Sequence, residues 1–279
     1  MGPLEVLSSG HRGHGRVLVN RALEAGAERV VVFGGDGTWN EAVDGFLSAP
    51  EALRAGAHLV CLPAGSGCDF ARHLRLPLDP ARAAAVLAGG RVRRLDAVRA
   101  EFALADGRAV RFLSNMAGVG LAADAAELVD RWGKPLGGTL SYLAAAAGLL
   151  LLTSARAYRV LLDGRDLSGR YHAVLLANTE STGGGMRTAP GADASDGLFE
   201  VLTVAEAGRL GLALRLGRLY DGSHLGLPGV DLRRGRRLEL ASAGPSGAPS
   251  GLNIDGEPMG SLPAAFDILP GALPVLTPP

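Results

Sequence analysis

A glycine-rich segment of this 279-residue chain, Gly34–Thr38 (GGDGT), carries residue types that handle phosphate groups. It follows the apolar run Val30–Phe33, which is typical of a buried parallel strand, and it leads into a helical pattern. Glycine lets the backbone approach a ligand closely, and the helix that follows offers free N–H groups and the positive end of its dipole. The segment therefore suggests phosphate binding, with Asp36 placed to handle a metal-bound phosphate. The same motif alone also fits an ordinary strand–turn–helix corner.

A second glycine-rich turn, Pro63–Arg72 (PAGSGCDFAR), follows the strand pattern His58–Leu62 and also opens a helix. With a further strand pattern at Leu4–Ser8 and helical spacing between the strands, this alternation predicts a parallel α/β sheet. Ligands of such sheets bind at the carboxyl ends of the strands, so both turns should line one crevice. Two phosphate-type turns at one edge favour a nucleotide site over a structural corner.

The pattern changes after Arg94–Asp96, where short strand patterns separated by turn residues replace the alternation. We predict strands over residues 97–104, 109–115, 158–162, 171–178, 198–204, 237–240, 252–254 and 266–269. These patterns predict an antiparallel, β-rich second domain. The expected domains are residues 1–95, which bind nucleotide, and residues 96–279, which hold substrate and metal, with the last residues packing back on the first domain.

The stretch Leu136–Ala155 contains no charged residue and is long enough to cross a bilayer. Its glycines, its many alanines and the strand pattern that follows directly favour a buried helix that lines an apolar cleft. The formal net charge of zero gives no electrostatic case for a nucleic-acid partner. Two cysteines are too few for a disulfide framework, and the first residues are not typical of a signal peptide, so the expected location is the cytoplasm.

Four segments together resemble the signatures of the diacylglycerol-kinase-type catalytic domain, a family that includes bacterial soluble lipid kinases, sphingosine kinases and ceramide kinases. Gly34–Glu41 resembles GGDGTxNE, and Pro63–Ala71 resembles P-x-G-[TS]-x-N-D-x-A. Gly183–Leu198 resembles the GGG…P-x-A-x-x-x-DG-L segment, and Asn253–Glu257 resembles N-x-D-G-E. GGDGT alone also admits NAD kinases and, more distantly, phosphofructokinases, which the other three segments do not favour.

The resemblance implies an N-terminal parallel α/β nucleotide-binding domain followed by a β-sandwich-like lipid-kinase domain, with lipid entering between them. It implies a kinase that uses ATP and Mg²⁺ to phosphorylate a hydroxyl of a diacylglycerol- or sphingoid-like lipid. Such an enzyme would make transient contact with the inner face of the membrane. The sequence indicates no oligomeric state.

The resemblance also assigns roles by position. The nucleotide phosphates would be held by residues of the two turns and their neighbours: Ser9, Gly34, Gly35, Asp36, Gly37, Thr38, Asn40, Gly65 and Ser66. A structural Mg²⁺ would be bound by Asp193, Asp196 and the carbonyl of Leu198. Glu257 matches the proton acceptor of bacterial members, whereas sphingosine kinases assign that role to the aspartate corresponding to Asp36.

Phosphoryl transfer needs positioning, charge neutralisation and a carboxylate within reach of the acceptor hydroxyl, whatever the family. The candidate carboxylates are Asp36, Asp255 and Glu257. We expect Glu257 to be the base and Asp36 to organise the metal and the phosphates.

Two departures from the family pattern keep alternatives open. The chain opens where the second strand of the family should be, so the first strand, with its N-P-x-x-G turn, is expected to be missing. Cys68 replaces the usual asparagine of the second turn, and cysteine is a weak hydrogen-bonding residue. The alternatives are a catalytically weak lipid- or nucleotide-binding protein on the same fold and a NAD-kinase-like kinase of a soluble substrate. The apolar stretch argues against the soluble substrate.

Overall fold

The computed structural model describes residues 4–65, 67–132, 138–206, 216–244 and 250–279. Its first third alternates helices with two strands that pair in parallel, as the apolar runs predict. The expected burial of the first of these strands is wrong, because Val31 is 44% and Phe33 64% exposed on the face that no described segment covers. The elements are α1 (His14–Glu24), β1 (Arg29–Gly34), α2 (Asp36–Ser48), α3 (Glu51–Arg54), β2 (His58–Pro63), α4 (Asp69–His73) and α5 (Pro80–Leu87).

The rest of the described chain is rich in antiparallel strands, with two longer helices inserted. The elements are β3 (Arg91–Leu104), β4 (Gly107–Leu113), β5 (Met116–Gly120), α6 (Leu121–Trp132), α7 (Gly138–Leu152), β6 (Arg156–Leu162), β7 (Arg165–Asp166), β8 (Gly169–Ala177), β9 (Phe199–Ala205), β10 (Val230–Gly235), β11 (Arg237–Ser242), β12 (Gly251–Ile254) and β13 (Glu257–Thr277). Two short 3-10 turns, Leu216–Leu219 and Ser223–Gly226, precede β10. The parallel start and the β-rich remainder agree with the predicted architecture.

The strand β13 connects the two halves. It pairs antiparallel with β3 along most of its length, and near its end Val275 pairs in parallel with Leu59 of β2. Through it, the described strands form one hydrogen-bonded network. The strand β3 also spans both cores, because Leu95 packs in the first core and Val98 packs in the second.

Two apolar cores support these layers. The first lies between the helices and β1–β2 and includes Phe46, Leu59 and Phe70. The second fills the space between the antiparallel strands and includes Tyr158 and Phe199. Both are built from fully buried side chains, so burial of apolar area holds each half together.

The structure differs from the sequence prediction at the start of the chain and agrees with it at the apolar stretch. The predicted strand at Leu4–Ser8 is wrong, because this segment does not form a strand. Leu4 is 81% exposed, since nothing in the described chain covers it. The apolar stretch does form a helix, α7, while its first two residues, Leu136 and Gly137, lie outside the described residues. In the described parts of the chain, no helix has both the length and the apolar character needed to cross a bilayer.

Candidate active site

A cleft of about 470 Å³ lies where the two halves meet, and all four sequence motifs reach it. The two N-terminal glycine turns, the triple-glycine turn and the β12–β13 turn all contribute to its lining. The motif residues that line it are Gly35, Asp36, Gly37, Gly65, Gly67, Asp69, Gly183, Gly184, Asn253, Asp255, Gly256 and Glu257. These segments are distant in sequence, so their meeting here is a product of the fold.

The two N-terminal turns touch each other through their backbones. The Ala64 N–H donates to the Gly34 carbonyl at 2.9 Å. A Cβ at Gly65 would lie 2.7 Å from the Cα of Gly35, closer than real side-chain atoms come. Glycine is therefore required here because the turns approach so closely. The helix α2 begins at Asp36, so its N-terminal N–H groups and the positive end of its dipole face the cleft.

The carboxylate of Asp36 ties the first turn to the second. Its Oδ1 accepts the Asp69 N–H at 2.7 Å, and a Cβ at Gly67 would clash with its Oδ2. Burial raises the pKa of Asp36, although the backbone N–H groups around it act in the opposite direction.

Asp69 extends this chain of contacts to the triple-glycine turn. Its two carboxylate oxygens accept the N–H groups of Gly184 at 2.8 Å and Gly185 at 2.7 Å. Burial, and to a smaller extent the charge of Asp36, raises the pKa of Asp69 to about 6. Sequence reasoning gave Asp69 no role, although its place in the second motif was a usable signal. Its side chain joins the two halves of the cleft.

Asp255 lies in the turn between β12 and β13 with a left-handed φ of 47°. Its Oδ1 accepts the Met116 N–H at 2.6 Å, and its Oδ2 is buried without a hydrogen bond of normal geometry. Burial raises the pKa of Asp255 to about 7, with smaller contributions from the charges of Asp36 and Glu257. A buried, unpaired carboxylate oxygen beside a phosphate-type turn is suited to a cation or a hydroxyl donor.

Glu257 lies over the start of α2, because a Cβ at Gly37 would be 3.5 Å from its Oε1. Its Oε2 accepts a hydrogen bond from Arg12 Nε at 3.2 Å. Arg12 also approaches Asp130 at 4.0 Å on the same rim. Sequence reasoning missed Arg12, since nothing in its local pattern points to a partner 245 residues away.

Several predicted nucleotide-contacting residues do not line the cleft. Ser9 is exposed in the segment before α1, and Thr38 packs against Gly34. Asn40 is buried, and its Oδ1 has no hydrogen-bond partner among the described residues. Ser66 lies outside the described residues. The first motif is thus split between cleft-facing and supporting residues.

Cys68, which replaces the expected asparagine, is buried with a left-handed φ of 51°. Its Sγ donates to the Gly65 carbonyl at 3.4 Å, so the thiol supports the turn from within the protein. Asparagine adopts this backbone conformation more readily than cysteine does.

The predicted magnesium ligands lie outside the cleft. Asp193 accepts hydrogen bonds from the Ser195 N–H and hydroxyl, at 3.0 and 2.6 Å, and Asp196 forms an ion pair with Arg234. Carboxylates and a carbonyl are hard ligands that Mg²⁺ prefers, but here both carboxylates are taken by protein groups. No cluster of three metal-ligating side chains occurs in the described part of the chain. An ion bound here would have to share Asp193 with Ser195 and Asp196 with Arg234.

An apolar pocket of about 110 Å³ adjoins the cleft. Ala146 and Leu150 of α7 line it, and Met116, Thr182 and Met186 border both cavities. A group bound in the cleft could therefore extend an apolar chain towards α7.

Comparison with known proteins shows which family the sequence of this chain matches. A family model described as the YegS C-terminal NAD kinase beta sandwich-like domain matches residues 115–277, and one described as the diacylglycerol kinase catalytic domain matches residues 2–100. The diacylglycerol kinase of Staphylococcus carnosus (strain TM300) is 28% identical over 95% of this chain and 82% of its own length. That of Mycobacterium tuberculosis (strain ATCC 25618 / H37Rv) is 29% identical over 94% and 81%.

Solved structures show the same fold at lower identity. The crystal structure described as a diacylglycerol kinase from Bacillus anthracis str. Sterne matches with a TM-score of 0.74 and 19% identity. The match covers 97% of this chain and 84% of that one. The likeness therefore extends over both halves of the chain.

Proposed function

The chain belongs to the family of diacylglycerol kinase and YegS-like lipid kinases, and we propose that it transfers the γ-phosphoryl group of ATP to a hydroxyl of a diacylglycerol- or sphingoid-like lipid. One observation carries the proposal: four motifs far apart in sequence line a single cleft, with Asp36 and Glu257 in the same lining. An apolar pocket adjoins the cleft, and this pocket would receive part of a lipid chain.

Different residues of the cleft would bind the nucleotide phosphates and hold the two turns in place. The N-terminus of α2 and the backbone of the two glycine turns would receive the nucleotide phosphates, because free N–H groups and the helix dipole favour anions. Asp36 fixes the turns relative to each other through Asp69. Charge stabilisation by such preorganised groups supplies much of the catalysis in phosphoryl transfer.

Glu257 would accept the proton of the lipid hydroxyl as its oxygen attacks the γ-phosphorus and the bond to ADP breaks. Its place over the start of α2 puts a carboxylate beside the expected phosphates. Arg12, which holds Glu257 through Nε, also lines the cleft. The position of Glu257 over α2 supports it over Asp36 as the base, because the Asp36 carboxylate is engaged by backbone N–H groups of the second turn.

Mg²⁺ would enter with ATP as part of the nucleotide substrate and neutralise charge on its phosphates. Asp36 and the unpaired Oδ2 of Asp255 are the described groups in the cleft whose chemistry suits a magnesium–nucleotide complex. The structural Mg²⁺ site at Asp193, Asp196 and Leu198 remains a prediction.

The lipid would approach from the α7 side. Leu152, at the end of α7, is 83% exposed, and Ala146 and Leu150 of the same helix line the apolar pocket. This arrangement supports transient contact with a membrane surface during substrate entry.

A test is to incubate the purified chain with γ-labelled ATP, Mg²⁺ and detergent-dispersed lipids that include diacylglycerol, sphingosine and ceramide, with NAD as a soluble acceptor. We expect label in a lipid that carries a free hydroxyl and none in NAD. Lipid binding without label transfer, or label only in the soluble acceptor, would contradict the proposal.

A further inference from the structure

We propose that a second site, an arginine-lined groove separate from the cleft, binds the phosphate group of an anionic ligand. The groove has a volume of about 580 Å³ and shares no lining residue with the cleft. Its positive lining consists of Arg72 and Arg75, at the end of α4 and just beyond it, and Arg91 and Arg93 at the start of β3. We call the groove that these four side chains line the arginine groove. The inference does not depend on kinase activity.

The groove places like charges side by side. Arg91 and Arg93 are two apart in β3 and so share a face of that strand, while Arg72 in α4 and Arg75 beyond its end line the same groove. Neighbouring like charges on a sheet are destabilising by a few tenths of a kcal/mol or more. All four side chains belong to exposed residues, so an anion could reach them.

None of the four forms an ion pair with a carboxylate among the described residues, unlike twelve other arginines of the chain. Arg72 Nε donates to the Gly67 carbonyl at 2.9 Å, and Arg93 donates to the Ser195 hydroxyl at 3.3 Å. Both acceptors are neutral, so the positive charge of the groove is left uncompensated by direct pairing.

Two side-chain carboxylates also line the groove, and both have other partners. Glu180 accepts the Gly191 N–H at 2.8 Å and lies 3.6 Å from Arg187. Asp193 accepts both hydrogen bonds offered by Ser195. Pro279, which carries the terminal carboxylate, lines the groove as well. Four guanidinium groups therefore face three carboxylates, two of them already engaged, which leaves an excess of positive charge.

The guanidinium group recognises phosphate well, because its planar set of donors matches two phosphate oxygens. A phospholipid headgroup and free phosphate share this chemistry. The groove also adjoins the cleft: the Arg72 guanidinium would lie 3.8 Å from a Cβ at Gly185, in the triple-glycine turn. An anion held here would bind next to the place where the two halves meet.

The test compares the native chain with the double variant Arg75→Gln/Arg91→Gln, which changes no cleft residue. The matched control, Arg21→Gln/Arg82→Gln, removes the same charge from exposed arginines outside the groove. Thermal unfolding is recorded at low ionic strength with and without millimolar inorganic phosphate. We expect phosphate to raise the native melting temperature by a few degrees, and the groove variant to lose at least half of that shift while the control keeps it.

Sedimentation with vesicles then identifies the source of the phosphate group. Binding to phosphatidylglycerol vesicles, but not to phosphatidylcholine vesicles, that is lost only in the groove variant assigns a lipid headgroup. Phosphate protection without vesicle binding assigns a free phosphate ligand. The inference is overturned if phosphate does not protect the native chain, or if the control variant loses as much protection as the groove variant. The single variants Arg75→Gln and Arg91→Gln repeat the comparison if the double variant unfolds.

Discussion

The carboxylates of the cleft differ in what holds them, and this difference supports the roles proposed for them. Asp36 and Asp69 accept backbone N–H groups and serve to join three turns. Glu257 accepts a hydrogen bond only from the side chain of Arg12, as an ion pair, among the contacts described for it. Asp255 keeps one oxygen buried and unpaired. A carboxylate that is not fixed by backbone groups is free to take up a proton from a substrate.

Asp255 gives a prediction about pH and stability. Its pKa rises from 3.8 to about 7 on folding, so the folded chain binds more protons than the unfolded chain between these values. The stability that protonated Asp255 confers is fully present below its unfolded pKa of 3.8. It is lost as the pH rises through the folded pKa of about 7. Asp255→Asn keeps a neutral side chain at a left-handed position that asparagine tolerates.

We therefore expect Asp255→Asn to melt a few degrees above the native chain at pH 8 and close to it at pH 4, in the absence of nucleotide and divalent cations. Scanning calorimetry across this range measures the difference. A difference that does not grow with pH would contradict the buried, proton-binding state of Asp255.

The positions of residues in the cleft were predictable where a motif carried them, and the contacts between residues distant in sequence were not. Both glycine turns, Asp36 and Glu257 line the cleft as the motifs indicate. The ion pair between Asp196 and Arg234 and the hydrogen bond between Arg12 and Glu257 join positions with no shared pattern. Local sequence carries no signal for such pairs, so the engagement of the predicted magnesium ligands could not be foreseen.

At the scale of elements, the two N-terminal turns work as one unit because their backbones are in contact. The prediction is that Gly65→Ala destabilises the chain by about 1–3 kcal/mol, since its Cβ would meet the Gly35 backbone, which cannot move aside cheaply. Chemical denaturation followed by circular dichroism measures the change. Gly89→Ala is the matched control, because a Cβ there meets nothing within 4 Å. Equal stability of the two variants would refute the contact.

Element boundaries show why some strands were missed. The strand β5 (MAGVG) has two glycines and a single β-branched residue, so it lacks the usual strand composition. The strand β13 is much longer than the predicted strand at residues 266–269, and it contains several prolines. Pro263 and Pro270 lie within its register shifts, where the ladder is already interrupted, and proline is tolerated there. Strand patterns free of such residues, including Tyr158–Leu162, were predicted correctly.

At the scale of the whole molecule, β13 and β3 join the two halves through shared pairing and shared cores. We propose that the boundary between the nucleotide and substrate domains lies near residue 95, within β3, where the first core gives way to the second. Leu273, fully buried near the end of β13, belongs to the first core although it lies far along the chain.

This arrangement predicts that Leu273→Ala lowers the free energy of unfolding by about 2–5 kcal/mol, because it leaves a cavity in the first core. Leu104→Ala, at a 45% exposed position of β3, is the control and should cost far less. Urea unfolding of both variants measures the difference. Equal, small effects would show that the end of β13 does not stabilise the first domain.

The central claim is that this cleft phosphorylates a lipid with Glu257 as the base. Comparing turnover of Glu257→Gln and Asp36→Asn with the native chain, on a lipid that it phosphorylates, tests this most directly. We expect Glu257→Gln to lose roughly 100-fold or more in kcat, in line with the loss of a general base, while its melting temperature and nucleotide binding stay near native values. Asp36→Asn should also weaken nucleotide binding. Near-native turnover by a folded Glu257→Gln variant would contradict the account.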